Sequence, residues 1–190
     1  MSGKIFSIPN AFTAARICLI PCFVVSFYLP IPQAGVITAG IFCLAGFTDW
    51  LDGFLARLLN QTSRFGAFLD PVADKLIVAV ALVLLVGEYG KFWLTIPAAI
   101  IVSREIAISA LREWMAEIGK RTKVSVSYIG KVKTFIQIIS IIILLAHPAD
   151  WDLPWVKVGV ILMYIAAYLT LWSMVSYMRA AWDTILEQGA

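Results

Sequence analysis

The 190 residues are 61% hydrophobic and only 14% charged, with a mean hydropathy of +0.89 and a formal net charge of +3. Soluble chains carry about 25% charged residues, so the deficit excludes an ordinary soluble domain, and the small positive excess gives no footprint for nucleic acid. No linker, low-complexity tract or internal repeat interrupts residues 1–190, which read as a single integral membrane domain. The opening "MSGKIFSIPNAFTAARICLIPCF" has no small-residue cleavage site after its apolar run and does not read as a removable signal peptide.

Taken in chain order, the first span is expected at 10–30, preceded by Lys4, Ile5 and Phe6 in a short amphipathic helix along the interface. "LPIPQAG" leads to 34–57, "NQTSRFG" to 71–88, "GEYGK" to 92–117, "GKRTKVSVSYIGK" to 129–147 and "HPADWDLP" to 155–179. A membrane-crossing helix needs about 20 mainly apolar residues. The predicted fold is therefore all-α and integral to the membrane, with six transmembrane helices. Lys and Arg collect at Lys4 and Arg16, at Arg57 and Arg64, from Lys120 to Lys133 and at Arg179, which puts both termini in the cytoplasm. Trp93, Trp151 and Trp155 then mark the opposite interface. Cys18, Cys22 and Cys43 sit in apolar segments without metal-ligand spacing and are expected to serve packing. His147, in an outer loop, is assigned no catalytic role.

Four aspartates stand out in this setting. Asp49 and Asp52 are three apart, and at 100° per residue they share about 100° of arc with Gly53 and Ala56, with Arg57 at its edge. The next span opens with "LDPVADK", where Asp70 is expected as N-cap, Pro71 at the first helical position and Asp74 one turn further on. The short connection "LLNQTSRFGAF" can bring the two pairs together. An aspartate inside a membrane helix costs roughly 2.5–3.5 kcal/mol, less near the interface, and only Arg57 and Lys75 are close enough in sequence to offset four of them. Hard oxygen ligands favour Mg²⁺ or Mn²⁺, and two such ions about 3.5–4 Å apart suit phosphoryl transfer. Either pair alone reads more readily as a solvated helix end than as a ligand set. The full pattern D-x-x-D-G-x-x-A-R, eight residues, G-x-x-x-D-x-x-x-D is far more specific.

That pattern resembles the signature of the CDP-alcohol phosphotransferase family of integral membrane enzymes, with every signature position matched. The resemblance implies a six-helix membrane fold, usually a homodimer, two divalent cations, and a site opening to the cytoplasm. It also implies the reaction, in which an alcohol attacks the lipid-bearing phosphorus of a CDP-linked donor and CMP leaves. By the same resemblance Asp49, Asp52, Asp70 and Asp74 are the metal set and Asp74 is the general base. Gly53, Ala56, Arg57, Ser63 and Gly66 form the CDP-lipid cradle, with Asn10 and Thr13 as further members. "SREIAISALREWMAEIGK" and "VSVSYIGKVKT" resemble those bacterial members of the family that join CDP-diacylglycerol to glycerol 3-phosphate in the cytoplasmic membrane.

The residues give independent reason to expect an acceptor bearing phosphate. Arg104 lies within a span and needs a polar cavity or partner; Arg112 follows two turns nearer the cytoplasm, and Lys131 and Lys133 enter the next span from that side. Arg104 could equally pair with Glu105 or an aspartate, and Lys131 and Lys133 could simply obey the positive-inside rule. Lys120, Arg121 and Lys123 read as a face for lipid headgroups. Two rival functions remain open: the same chemistry on serine, inositol phosphate or phosphatidylglycerol, and divalent-cation transport. Transport would place carboxylates deeper and along several helices, whereas these four lie at one end and Glu88, Asp150 and Asp152 are loop residues at the other.

Overall fold

The structure is a computed structural model that describes residues 8–58, 64–118 and 128–188. Side chains at 8–13, 49–50, 52–58, 64–68, 70–71, 128–129, 131, 180–181 and 183–188 lie outside the description. Among the described residues all regular structure is helical: α1 (Ile8–Phe27), α2 (Ala34–Leu58), α3 (Arg64–Tyr89), α4 (Phe92–Glu117), α5 (Tyr128–Ala146) and α6 (Pro154–Gln188). Each expected span falls on one helix. The expected interfacial helix before Pro9 falls largely on residues 1–7, outside the described residues.

One start differs. α3 begins at Arg64, so Asp70 and Pro71 lie in the body of the helix and are not its N-cap and first residue. A proline there has no N–H for the Ala67 carbonyl and crowds it. Continuing the helix through the proline nevertheless keeps the other backbone groups on both sides hydrogen-bonded. The same choice puts Gly66, Asp70 and Asp74 in i, i+4, i+8 register on one stripe.

Two helices, Phe92–Glu117 and Pro154–Arg179, are long and apolar enough over the described residues to cross a membrane. Shorter apolar stretches cover Ala14–Phe27, Ala34–Thr48 and Val132–Ala146. Apolar residues such as Phe23, Leu85 and Ile141 fill the interior, but large apolar side chains also cover the outside (Val25, Val83, Phe135, Tyr168 and Trp172 are exposed), and the hydroxyls of Thr38, Ser140, Thr170 and Ser173 are buried among the interior groups. Apolar groups facing out and hydroxyls facing in is the arrangement that lipid as solvent favours. Cys18, Cys22 and Cys43 are free and exposed, so they lie on the outer surface of α1 and α2 and do not pack the interior.

The chain divides into two compact units. The first holds α1, α2, α3 as far as Glu88, and Ile142–Asp150. α1 packs along α2, with the Phe23 and Phe42 rings 6.1 Å apart and the buried Ser26 and Thr38 hydroxyls hydrogen-bonded at 3.0 Å. His147 Nδ1–H donates to the Ile143 carbonyl at 2.8 Å, at the end of the fifth helix. Gly35 is where a side chain is forbidden: a Cβ there would meet the Leu145 carbonyl oxygen at 2.6 Å, a backbone atom that cannot turn aside. Gly35→Ala should therefore cost about 1–3 kcal/mol, seen as a lower melting temperature in detergent. Gly40→Ala, with nothing within 4 Å, is the matched control; equal melting of the two variants would refute the close approach.

The second unit runs from Tyr89 to Ile141 and from Trp151 onward. Gly90, at φ +56°, supplies the left-handed turn between α3 and α4. α4 packs along α6 through Ile108, Met115 and Tyr177, with Leu111, Ile118 and Met174 around them. α5 joins α6 where Ser140 Oγ donates to the Gly159 carbonyl at 2.7 Å. Trp93 stacks near Trp151 with ring centroids 4.6 Å apart, and the Tyr164 hydroxyl donates to the Trp93 carbonyl at 2.7 Å. The expected aromatic grouping of Trp93 and Trp151 is thus a real contact.

Candidate functional site

In the first unit, α2 is helical through Asp49, Asp52, Gly53, Ala56 and Arg57, and α3 through Gly66, Asp70 and Asp74. Both carboxylate pairs therefore keep the helical register expected of them, i, i+3 and i, i+4. The side chains of Asp49, Asp52, Arg57 and Asp70 lie outside the described residues, as do those of Asn10 and Thr13 on α1, and Ser63 lies outside entirely. Asp74 is described and is exposed, with Lys75 half-buried beside it in sequence. No group of three metal-type ligands forms among the described residues, which exclude three of the four aspartates. The donor chemistry nevertheless fits a hard divalent cation: all-oxygen carboxylates on two regular helices, with Asp74 exposed. Arg16, counted above only as a cytoplasmic charge, is buried within α1.

The second unit contains a cationic cluster that is described in atomic detail. Arg104 and Arg112 are eight residues apart on α4, about 12 Å along its axis, on the side that packs against α6. Arg104 is only 5% exposed; its Nη1 donates to Glu105 Oε2 at 3.2 Å and its Nη2 to Ser173 Oγ at 2.9 Å. Lys133 from α5, equally buried, reaches the same Glu105 oxygen at 3.6 Å. Arg112 Nη2 donates to the Tyr177 hydroxyl at 3.2 Å, and both guanidinium carbons sit over the Tyr177 ring, Arg104 at 5.6 Å and Arg112 at 5.3 Å from its centroid.

Arg104 and Lys133 share the Glu105 carboxylate while Arg112 bonds to the neutral Tyr177 hydroxyl, so these contacts leave an excess of two positive charges among the described residues. Glu105 is 39% exposed and so partly solvated. The Nε–H groups of Arg104 and Arg112 are buried with no hydrogen-bond partner among the described residues, and a donor left in that state costs about 1–3 kcal/mol. A dianionic oxyanion of fixed shape would satisfy the charge and the donors together. Of the alternatives for Arg104, pairing with Glu105 is the one seen.

For the lysines the emphasis changes. Lys131 has its side chain outside the described residues, and Lys133 joins the cluster through Glu105. A signal for it was present: Lys133, Gln137 and Ser140 form an i, i+4, i+7 polar stripe on an apolar helix, and all three are buried. Thr170, Ser173 and Tyr177 form a similar buried stripe on α6. Ser173 and Tyr177 were missed because hydroxyl residues scattered in an apolar segment look like packing groups. Lys120, Arg121 and Lys123 lie outside the described residues.

An all-helical chain with outward apolar faces, the complete eight-position acidic signature and a buried cationic cluster is a membrane phosphotransferase in outline. The chain belongs to the CDP-alcohol phosphatidyltransferase family, whose model matches residues 6–172. It is 55% identical over 183 residues to the CDP-diacylglycerol–glycerol-3-phosphate 3-phosphatidyltransferase of Salmonella paratyphi A, covering 96% of this chain and 99% of the relative. It is 54% identical, over the same shares of each chain, to the proteins of that name from Shigella flexneri and Escherichia coli.

Proposed function

We propose that this chain transfers the phosphatidyl group of CDP-diacylglycerol to glycerol 3-phosphate, giving phosphatidylglycerophosphate and CMP in phospholipid biosynthesis. The family supports the donor, and the names of relatives at 54–55% identity support the acceptor. The single structural observation that carries the acceptor is the twofold positive excess at Arg104, Arg112 and Lys133. Serine has no dianion to offset it; inositol phosphate has one, and between the two phosphate-bearing acceptors the relatives' names favour glycerol 3-phosphate.

In this reading Asp49, Asp52, Asp70 and Asp74 hold two divalent cations, Mg²⁺ or Mn²⁺. When bound, these supply charge neutralisation at the donor diphosphate and acidify the acceptor hydroxyl. Gly53, Ala56 and Gly66 leave room beside the helix backbones for the CDP group, Arg57 donates to its oxygens, and Asn10, Thr13 and Ser63 complete the cradle. Arg112 and Arg104, with Lys133 and Lys131, receive the acceptor's phosphate and orient its hydroxyl. Asp74 takes the hydroxyl proton as the new oxygen–phosphorus bond forms and the bond to CMP breaks. The diacyl tails remain in the bilayer. The protein works as a single six-span membrane domain, a homodimer, in the bacterial cytoplasmic membrane, with both termini and the site on the cytoplasmic side.

CMP release from CDP-diacylglycerol tests this directly. Release should require both glycerol 3-phosphate and a divalent cation, stop with chelator and resume on adding Mg²⁺. Serine, inositol phosphate and phosphatidylglycerol should not replace the acceptor. Release with one of these but not with glycerol 3-phosphate would overturn the assignment.

A further inference from the structure

The two arginines of the cationic cluster share one neighbour. The Tyr177 ring lies within 5.6 Å of both guanidinium carbons, its hydroxyl accepts from Arg112 Nη2 at 3.2 Å, and the residue is only 5% exposed, packed with Ile108 and Met115. Left to themselves, two like-charged side chains on one helix face turn away from each other and toward solvent. A ring face offers both of them a weak negative potential in a dry setting, where cation–π attraction is strongest. The phenol oxygen adds a directional tether for Arg112 alone. Tyr177 thereby holds the spacing and tilt of two planar donor groups, and a planar fork binds an oxyanion well only when its plane is aimed in advance.

We propose that Tyr177 is the positioning residue of the acceptor site, setting affinity for glycerol 3-phosphate through Arg104 and Arg112 without taking part in the chemistry. The inference rests on the reading of those arginines as the acceptor-phosphate site. It separates Tyr177 from an ordinary core aromatic, because a core role needs the ring and has no use for the hydroxyl.

The test uses the full-length enzyme in mixed micelles, with glycerol 3-phosphate and CDP-diacylglycerol varied independently. Tyr177→Phe keeps the packing and loses the tether to Arg112; it should raise KM for glycerol 3-phosphate about threefold to tenfold, the worth of one ordinary hydrogen bond. KM for the donor, kcat at saturating acceptor and the melting temperature should stay within about twofold or a degree or so of the parent. Tyr177→Leu, which also removes both ring contacts, should raise the acceptor KM further. In an Arg112→Ala background Tyr177→Phe should add nothing, since the group it positions is gone. An unchanged acceptor KM in Tyr177→Phe, an additive double variant, or a parallel loss in every parameter together with melting temperature would each overturn the proposal. Arg112→Ala separates the two layers. If it leaves the acceptor KM unchanged, the acceptor-site reading fails and this inference with it. If it raises that KM while Tyr177→Phe does not, only the positioning role fails.

Discussion

Asp74→Asn should lower turnover at least a hundredfold while CDP-diacylglycerol binding stays within a few-fold of the parent. The two side chains have nearly the same shape, and the amide keeps one oxygen able to serve as a ligand, so the donor loses little. What the amide cannot do is accept a proton, and a positioned general base contributes about 10²–10⁴-fold. Of the four aspartates, Asp74 is the one whose side chain is described, and it is exposed, open to an acceptor that arrives from water. It stands one turn beyond Asp70 on an unbroken helix, so the substitution leaves the register of the stripe intact. Single-turnover CMP release beside equilibrium binding of the CDP-lipid checks both halves. Turnover in Asp74→Asn comparable to the parent would remove its role as base.

Arg112→Ala should raise the KM for glycerol 3-phosphate about 10- to 100-fold and change the KM for CDP-diacylglycerol no more than about twofold. Hydrogen bonds to charged groups are worth about 1.5–3 kcal/mol, and each 1.4 kcal/mol is a factor of ten. Arg112 is a cleaner probe than Arg104. Arg104 commits Nη1 to Glu105 and Nη2 to Ser173, so removing it also breaks a buried network and confuses folding with binding. Arg112 is half-buried, and its one described hydrogen bond goes to Tyr177. Initial-rate kinetics with each substrate varied in turn decide the matter; a rise in the donor KM alone would move Arg112 to the other substrate.

Most of the helix pattern was legible because the physics behind it is local. A run of about 20 apolar residues in a backbone that must satisfy its own hydrogen bonds has one regular solution, and the six helices fall where the apolar runs do. The start of α3 was misread for an equally local reason. Pro71 after Asp70 looks like a helix opening, yet the helix begins at Arg64 and runs through both, because losing one backbone hydrogen bond at a proline costs less than leaving a whole turn of backbone groups unpaired.

The acidic signature was legible in full, since four carboxylates at helical spacing in an apolar chain have few explanations. The cationic cluster was legible only in part. Arg104 and Arg112 announce themselves as charges inside a span, but that Lys133 reaches Glu105 beside them depends on the rotation of α5. Their partners Ser173 and Tyr177 lie 69 and 65 residues further along the chain.

The amino-acid order by itself determined a strongly apolar helical chain, the register of Asp49, Asp52, Asp70 and Asp74, and the family those residues mark. All of these follow from interactions between residues close in sequence: backbone hydrogen bonds, the helical repeat and hydropathy. The tertiary structure alone decided that Lys133 shares Glu105 with Arg104, that Ser173 anchors Arg104, and that Tyr177 lies beneath both arginines. Those contacts depend on how α4, α5 and α6 rotate and slide as they pack, a choice made by side-chain fit and by the cost of burying unpaired charge.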